Sequence, residues 1–277
     1  MIRVELVKLL RGRRTWLYIA LLCALPTLVA VLLASTGIAP PPGRGGPQAF
    51  LSAVLSNGQI YPAAALAMVL PIFLPITVAV VAGDSIAGEA NTGTLRYLLV
   101  RPVSRTRLLV AKLVAVAAFV LLAVAAVTVT GYLVGVAAFG TGQTALDQPG
   151  TVTSLSGVRL TQAELALRLA GTIGYISLSM VAVGAIALLL STFTDSALAA
   201  ALGALAVIVT SAVLTPLDAA AAIAPYLPTF RWLAWVDFFR DPIFWRDIRR
   251  GTLLQLGYVA VCFGAAWANF TTCDVTS

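Results

Sequence analysis

The residues able to do chemistry are few, and most sit outside the apolar runs. The only lysines are Lys8 in LVKLL and Lys112 in VAKLV, and neither follows a glycine. A phosphate-binding loop needs Gly-Lys-Ser/Thr after a glycine-rich turn, so the chain has no Walker A site. There is no histidine, which removes Ser-His-Asp and Cys-His catalysis, the usual proton shuttle and the commonest metal ligand. Cys23, Cys262 and Cys273 form no spaced pair, so neither a disulfide framework nor a metal site is expected. The carboxylates lie at the ends of apolar runs and in loops, which disfavours paired-aspartate proteolysis within a membrane. The expected catalytic set is empty and the chain is not expected to be an enzyme.

One polar segment remains, GDSIAGEANTGTLRYLLVRPVSRTRLLVAK, from Gly83 to Lys112. Asp84 and Glu89 flank a short helix, and Asn91-Thr92-Gly93 breaks it. Thr94 can cap a new turn carrying Leu95, Tyr97, Leu98 and Leu99. Pro102 stops that turn, and Ser104 can cap the helix that follows. The product is a short, apolar-faced helix flanked by Arg96, Arg101 and Arg105. Spaced apolar anchors of this kind suit a groove on a soluble protein.

The elements that hold this segment are membrane spans. Hydrophobic residues make up 60% of the 277, charged residues 10%, and the mean hydropathy is +0.97. Soluble domains carry about a quarter charged residues. The expected fold is all-α: one transmembrane domain over 1–277 with six helices. A span needs about 20 apolar residues, which places them near 16–35, 61–81, 109–139, 171–193, 197–214 and 253–268. The runs are too long and too continuous for the alternating strands of a barrel. Only Asp195 and its neighbours separate the fourth and fifth spans, so a tight antiparallel hairpin is expected.

Residues 1–15 read as an interfacial helix with Ile2, Leu6, Leu9 and Leu10 on one face. Arg3, Lys8, Arg11, Arg13 and Arg14 would anchor it to anionic headgroups. The apolar run after it exceeds a signal-peptide core of roughly 7–15 residues and reads as a retained span. Net charge is +7. The cations lie beside apolar runs, so lipid is the expected partner and nucleic acid is not.

Cytoplasmic Lys and Arg set orientation. The N-terminus carries five and the second loop four, with Lys112 just beyond it, whereas the first loop has Arg44 and the third Arg159 and Arg168. Both termini and the 84–108 loop are therefore expected inside. The 215–251 loop conflicts, with Arg231, Arg240, Arg246, Arg249 and Arg250 on the outer side. Its aromatic stretch PYLPTFRWLAWVDFFRDPIFW suits short interfacial helices. Thr161 and Glu164 form a capping-box pattern, so the fourth helix should start before its span. Pro26 in the first span and Pro62, Pro71 and Pro75 in the second can bend them. Gly131 and Gly135 form a small-residue packing motif, read as bundle packing rather than a dimer seam.

Glu89-x3-Gly93-Thr94-Leu95, then Leu98-Leu99, Pro102-Val-Ser-Arg105 and Lys112 resemble the permease subunits of ABC-2-type transporters. The six-span layout and the ending Asn269-Phe270-Thr-Thr-Cys-Asp274-Val are similar too. Where the family often has basic residues in that ending, this chain has Thr271, Thr272 and Cys273. The resemblance implies two permease chains, homo- or heterodimeric, and two separate soluble ATPase subunits in a bacterial cytoplasmic membrane. ATP and Mg would be bound by the ATPases, with no cofactor in this chain. It further implies that Glu89, Gly93, Thr94, Leu95, Tyr97, Leu98, Leu99, Arg101, Pro102 and Arg105 couple the chain to its ATPase, and that the activity is export.

Thr77, Thr128, Tyr132, Tyr175 and Ser177 are candidate path-lining residues on the spans. Two other readings stay open: an ion-gradient-driven carrier, against which the lack of intramembrane carboxylates argues, and a scaffold or sensor that docks a cytoplasmic partner. Substrate is not legible.

Overall fold

The computed structural model describes residues 1–36, 58–88, 105–140, 151–153 and 159–272. It is an all-α bundle. In chain order it has α1 (Ile2–Arg11), α2 (Arg13–Thr36), α3 (Tyr61–Val69), α4 (Phe73–Asp84), α5 (Arg105–Phe139), α6 (Gln162–Ser191), α7 (Ala197–Leu214) and α8 (Trp245–Thr272). Five of these, α2 and α5 to α8, are long and apolar enough to cross a membrane, and α3 with α4 form a sixth candidate broken by a 60° bend. The architecture is that of a multi-pass membrane protein.

The bend falls where the sequence reads as one span over 61–81. Pro71 sits in the break and Pro75 in the first turn of α4, so two backbone donors are missing just where the ladder would continue. Pro62 takes the start of α3, where its missing donor costs nothing. Pro26, by contrast, lies inside an unbroken α2, and its carbonyl accepts the phenol of Tyr61. The kink potential of a proline is local; whether the helix breaks depends on what packs beside it.

α5 and α6 form the centre. Of their apolar stretches 56% and 67% are buried, against 22–28% for α2, α7 and α8. Lipid offers no hydrophobic force between helices, so close packing of small residues must hold them. Gly131 and Gly135 serve this role within the chain. A Cβ on Gly131 would meet Ala65 and Pro62 of α3 at 3.1 Å, and one on Gly135 would meet Tyr61 Cβ at 2.4 Å. Gly184 of α6 faces Val116 of α5 and Val78 of α4. The outward faces of α2, α7 and α8 carry Leu28, Leu32, Leu202, Val209, Leu253 and Val261, all exposed. Such a surface is stable against acyl chains rather than water.

Two helices begin well before their spans, α6 as its capping-box pattern implies and α8 against the expected start near 253. α6 begins at Gln162, nine residues before 171, because the Thr161–Glu164 capping box forms: the Thr161 amide donates to Glu164 Oε2 (2.8 Å) and the Glu164 amide to Thr161 Oγ1 (3.3 Å). α8 begins at Trp245, eight residues before 253, since its polar first two turns are helical as well. The α6–α7 hairpin closes in five residues, with Ser196 capping α7 through the Ala199 amide (3.3 Å). An antiparallel pair, β1 (Thr151–Thr153) and β2 (Arg159–Thr161), stands in what reads as plain loop. Its Thr-Val-Thr and Arg-Leu-Thr are β-favouring, but too short to signal a strand alone.

Candidate functional site

The loop singled out by sequence lies mainly outside the described residues: Glu89, Gly93, Thr94, Leu95, Tyr97, Leu98, Leu99, Arg101 and Pro102 are not placed. Arg105 opens α5. What the structure does place is the ground in which both ends of that loop are rooted.

The two roots are Ile86–Gly88 at the end of α4 and Thr106–Leu109 at the start of α5. Ile86, Leu108 and Leu109 share a small core with Leu188 of α6 and Ala266 and Phe270 of α8, with Met1 packed against it. Polar contacts tighten the cluster. Ser191 Oγ donates to the Gly83 carbonyl (2.8 Å) and accepts from the Ala87 amide (2.9 Å), tying α4 to the end of α6. Trp267 Nε1 donates to Thr106 Oγ1 (2.9 Å), tying α8 to the start of α5. Asn269 Nδ2 donates to Thr192 O and Oγ1, each at 3.0 Å. Asn269 and Phe270 of the closing motif are thus structural; Cys273 and Asp274 lie outside the described residues.

α1 joins the same end. Lys112, 2% exposed, pairs with Glu5 at 3.4 Å. Lys112 therefore sits beside the predicted loop as a buried tether between α1 and α5, not as a solvent-facing charge. A cation at this depth is costly unless compensated, which Glu5 supplies. Of the expected interface anchors, Arg3, Lys8, Arg11, Arg13 and Arg14 are all exposed. The apolar Ile2 and Leu10 are exposed as well, whereas Leu6 and Leu9 are half-buried.

At the opposite end, residues 215–244 fold into short 3-10 turns, Asp218–Ala220, Ala224–Tyr226 and Trp232–Phe239. Sequence reading places this stretch at the lipid interface. In the structure Trp232, Trp235, Phe238 and Phe239 are buried within the main core. Three helices hold the cap. From α6, Arg168 Nη1 donates to the carbonyls of Phe238 (3.1 Å) and Arg240 (3.0 Å), and Tyr175 Oη donates to that of Arg231 (2.5 Å). From α7, Ser211 Oγ meets Thr229 Oγ1 at 2.6 Å. From α8, Gln255 Nε2 donates to Pro228 O (2.8 Å) and Tyr258 Oη to Tyr226 O (2.7 Å).

Two of the five arginines that conflict with the orientation rule form ion pairs here: Arg231 with Asp247 at 2.8 Å and Arg240 with Asp237 at 3.2 Å. Burial pushes the Asp237 carboxyl above its ordinary range; Arg240 opposes the shift and Asp247 adds to it. Gln255, fully buried, is the residue sequence reasoning missed. Its signal was a lone amide within an apolar run, placed there to meet a partner.

The five candidate path residues are not brought together. The Thr77 hydroxyl donates to Phe73 and Leu74 carbonyls, and Thr128 to Val124, within their own helices. Tyr132 faces outward, Tyr175 holds the cap, and buried Ser177 has a hydroxyl with no partner among the described residues. Among those residues, no three Cys, Asp or Glu side chains cluster as a metal site would need.

No curated protein matches the chain. A family model does, over residues 17–230, from the first turns of α2 into the cap. The chain belongs to the family described as protein of unknown function (DUF2705).

Proposed function

We propose that this chain is the membrane-spanning permease subunit of an ATP-binding cassette exporter, working as a pair with two separate ATPase subunits. The observation that supports this most is the shared footing of the 84–108 loop. Its two roots, α1 and the ends of α6 and α8 are joined at one end of the bundle by the Ile86–Leu108–Phe270 core, the Ser191 bridge and the Glu5–Lys112 pair. A push on such a loop is delivered to α4, α5, α6 and α8 together, as an ATP-driven rocking motion requires. In this reading α3 and α4 are one broken span, for α3 lies against the far half of α5 while α4 reaches the loop end. There are then six crossings, and the Lys/Arg tally puts α1 and the loop in the cytoplasm.

Leu95, Tyr97, Leu98 and Leu99 are the contacts to the ATPase, and Glu89, Arg101 and Arg105 hold the loop's shape. Cargo passes between two bundles. The test is ATP hydrolysis by the purified complex in lipid: Glu89→Arg should abolish the stimulation that the membrane subunit gives while leaving insertion and yield unchanged. Normal stimulation in that variant would remove the loop from this role.

A further inference from the structure

A cavity of about 650 Å³ opens at the α1 end, between the α1–α2 elbow and helices α4, α5 and α7. We propose that it is a binding site for one anionic phospholipid of the adjacent leaflet. The inference does not rest on the exporter reading.

Its polar end collects Lys8, Arg13, Arg14 and Lys112 against two carboxylates, Glu5 and Asp84, so cations outnumber anions four to two. Lys112 is already engaged by Glu5. Arg13 and Arg14 make no ion pair among the described residues and stand exposed at the first turn of α2. That turn presents the positive end of the helix dipole to the same space. A phosphodiester headgroup matches this chemistry: a single diffuse anion with several acceptor oxygens, within reach of two guanidinium forks.

The rest of the cavity is apolar. Tyr18, Val81, Val116, Leu198 and Ala201 line it, and Leu198 and Leu202, one turn apart on α7, are exposed to the surroundings. α2 packs mainly on α5, and α7 on α4 and α6, which leaves the cleft between α2 and α7 as a lateral mouth. A free anion would use only the polar end, whereas a lipid fills both. Basic pockets between spans on the inner side take anionic lipids by this logic.

The test uses the full chain in neutral detergent, titrated with phosphatidylglycerol, phosphatidylcholine or inorganic phosphate, and read by native mass spectrometry and thermal midpoint. One phosphatidylglycerol should bind and raise the midpoint, with phosphatidylcholine and phosphate doing neither. Arg13→Gln with Arg14→Gln should weaken binding about thirtyfold, from two surface cations at about 1 kcal/mol each. Arg13→Lys with Arg14→Lys should retain most of it, which controls for folding. Ala201→Phe should block the acyl half without touching a charge, and Arg249→Gln with Arg250→Gln, at the opposite end, should change nothing. Equal binding of phosphatidylcholine, or wild-type binding by the double glutamine variant, would overturn the site. Phosphate binding with no gain from lipid would overturn its assignment to lipid.

Discussion

Gly251 on α8 faces Tyr175 on α6 so closely that a Cβ there would lie 2.0 Å from the phenol oxygen and 3.0 Å from Cζ. Gly251→Ala therefore must displace the ring, and with it the bond from Tyr175 Oη to the Arg231 carbonyl. Overpacking of this kind costs about 1–3 kcal/mol, and the lost hydrogen bond about 1 kcal/mol more, for a total of about 2–4 kcal/mol. Tyr175→Phe alone loses the bond at about 1 kcal/mol and removes the atom nearest the new methyl. In that background Gly251→Ala should be cheaper, leaving a coupling of about 1–2 kcal/mol. The assay is a double-mutant cycle of unfolding in mixed micelles, with Gly257→Ala as the control because nothing lies within 4 Å of its Cβ position. Strict additivity of the two substitutions would refute the α6–α8 contact, and with it the account of how the cap is held.

Gly135→Val should prevent α3 from seating on α5, because its Cβ would meet the Gly58 carbonyl at 2.4 Å; size-exclusion profiles after extraction should show aggregate where Gly174→Ala gives a monodisperse peak. Arg168→Gln should lose the clamp on Phe238 and Arg240 at about 1.5–3 kcal/mol per charge-assisted bond, and expose the 215–244 segment to protease added on that side. Asp237 has its folded-state carboxyl raised by burial. Its contribution to stability is fully present below the unfolded-state value of about 3.9 and is lost as pH rises through the folded one. The wild type should therefore gain on acidification from neutral pH relative to Asp237→Asn, a difference read from thermal midpoints of the two across pH 4–7.

The apolar runs and the starts of α6 and α7 were legible because they follow from local rules: a run long enough to cross, a Thr-x-x-Glu cap, a serine before α7. Glycine spacing in α5 also told its use correctly, as internal packing. What the sequence could not give was partner choice. Pro26 and Pro71 look alike in a string, yet one sits in a continuous helix and the other at a 60° break. The arginines of 231–250 stood only as a conflict with the orientation rule, because the pairing of Arg231 with Asp247 depends on how the cap folds back on α8. The aromatics beside them divide in a way the string does not show: Trp235 is 1% exposed, whereas Tyr226 and Trp245 are 72% and 60% exposed. Lys112 read as part of a charged loop, since its burial against Glu5 is set by a helix more than a hundred residues away.

The exporter reading turns on whether the 84–108 loop receives force from an ATPase. The most direct measurement is magnesium-dependent ATP hydrolysis by whatever complex the chain forms when purified from its native membrane, wild type against Leu98→Asp. The account predicts hydrolysis that requires the membrane subunit and is lost in the variant, with helical content and insertion unchanged. Hydrolysis unaffected by Leu98→Asp would contradict it, as would transport by the chain alone under an ion gradient without ATP.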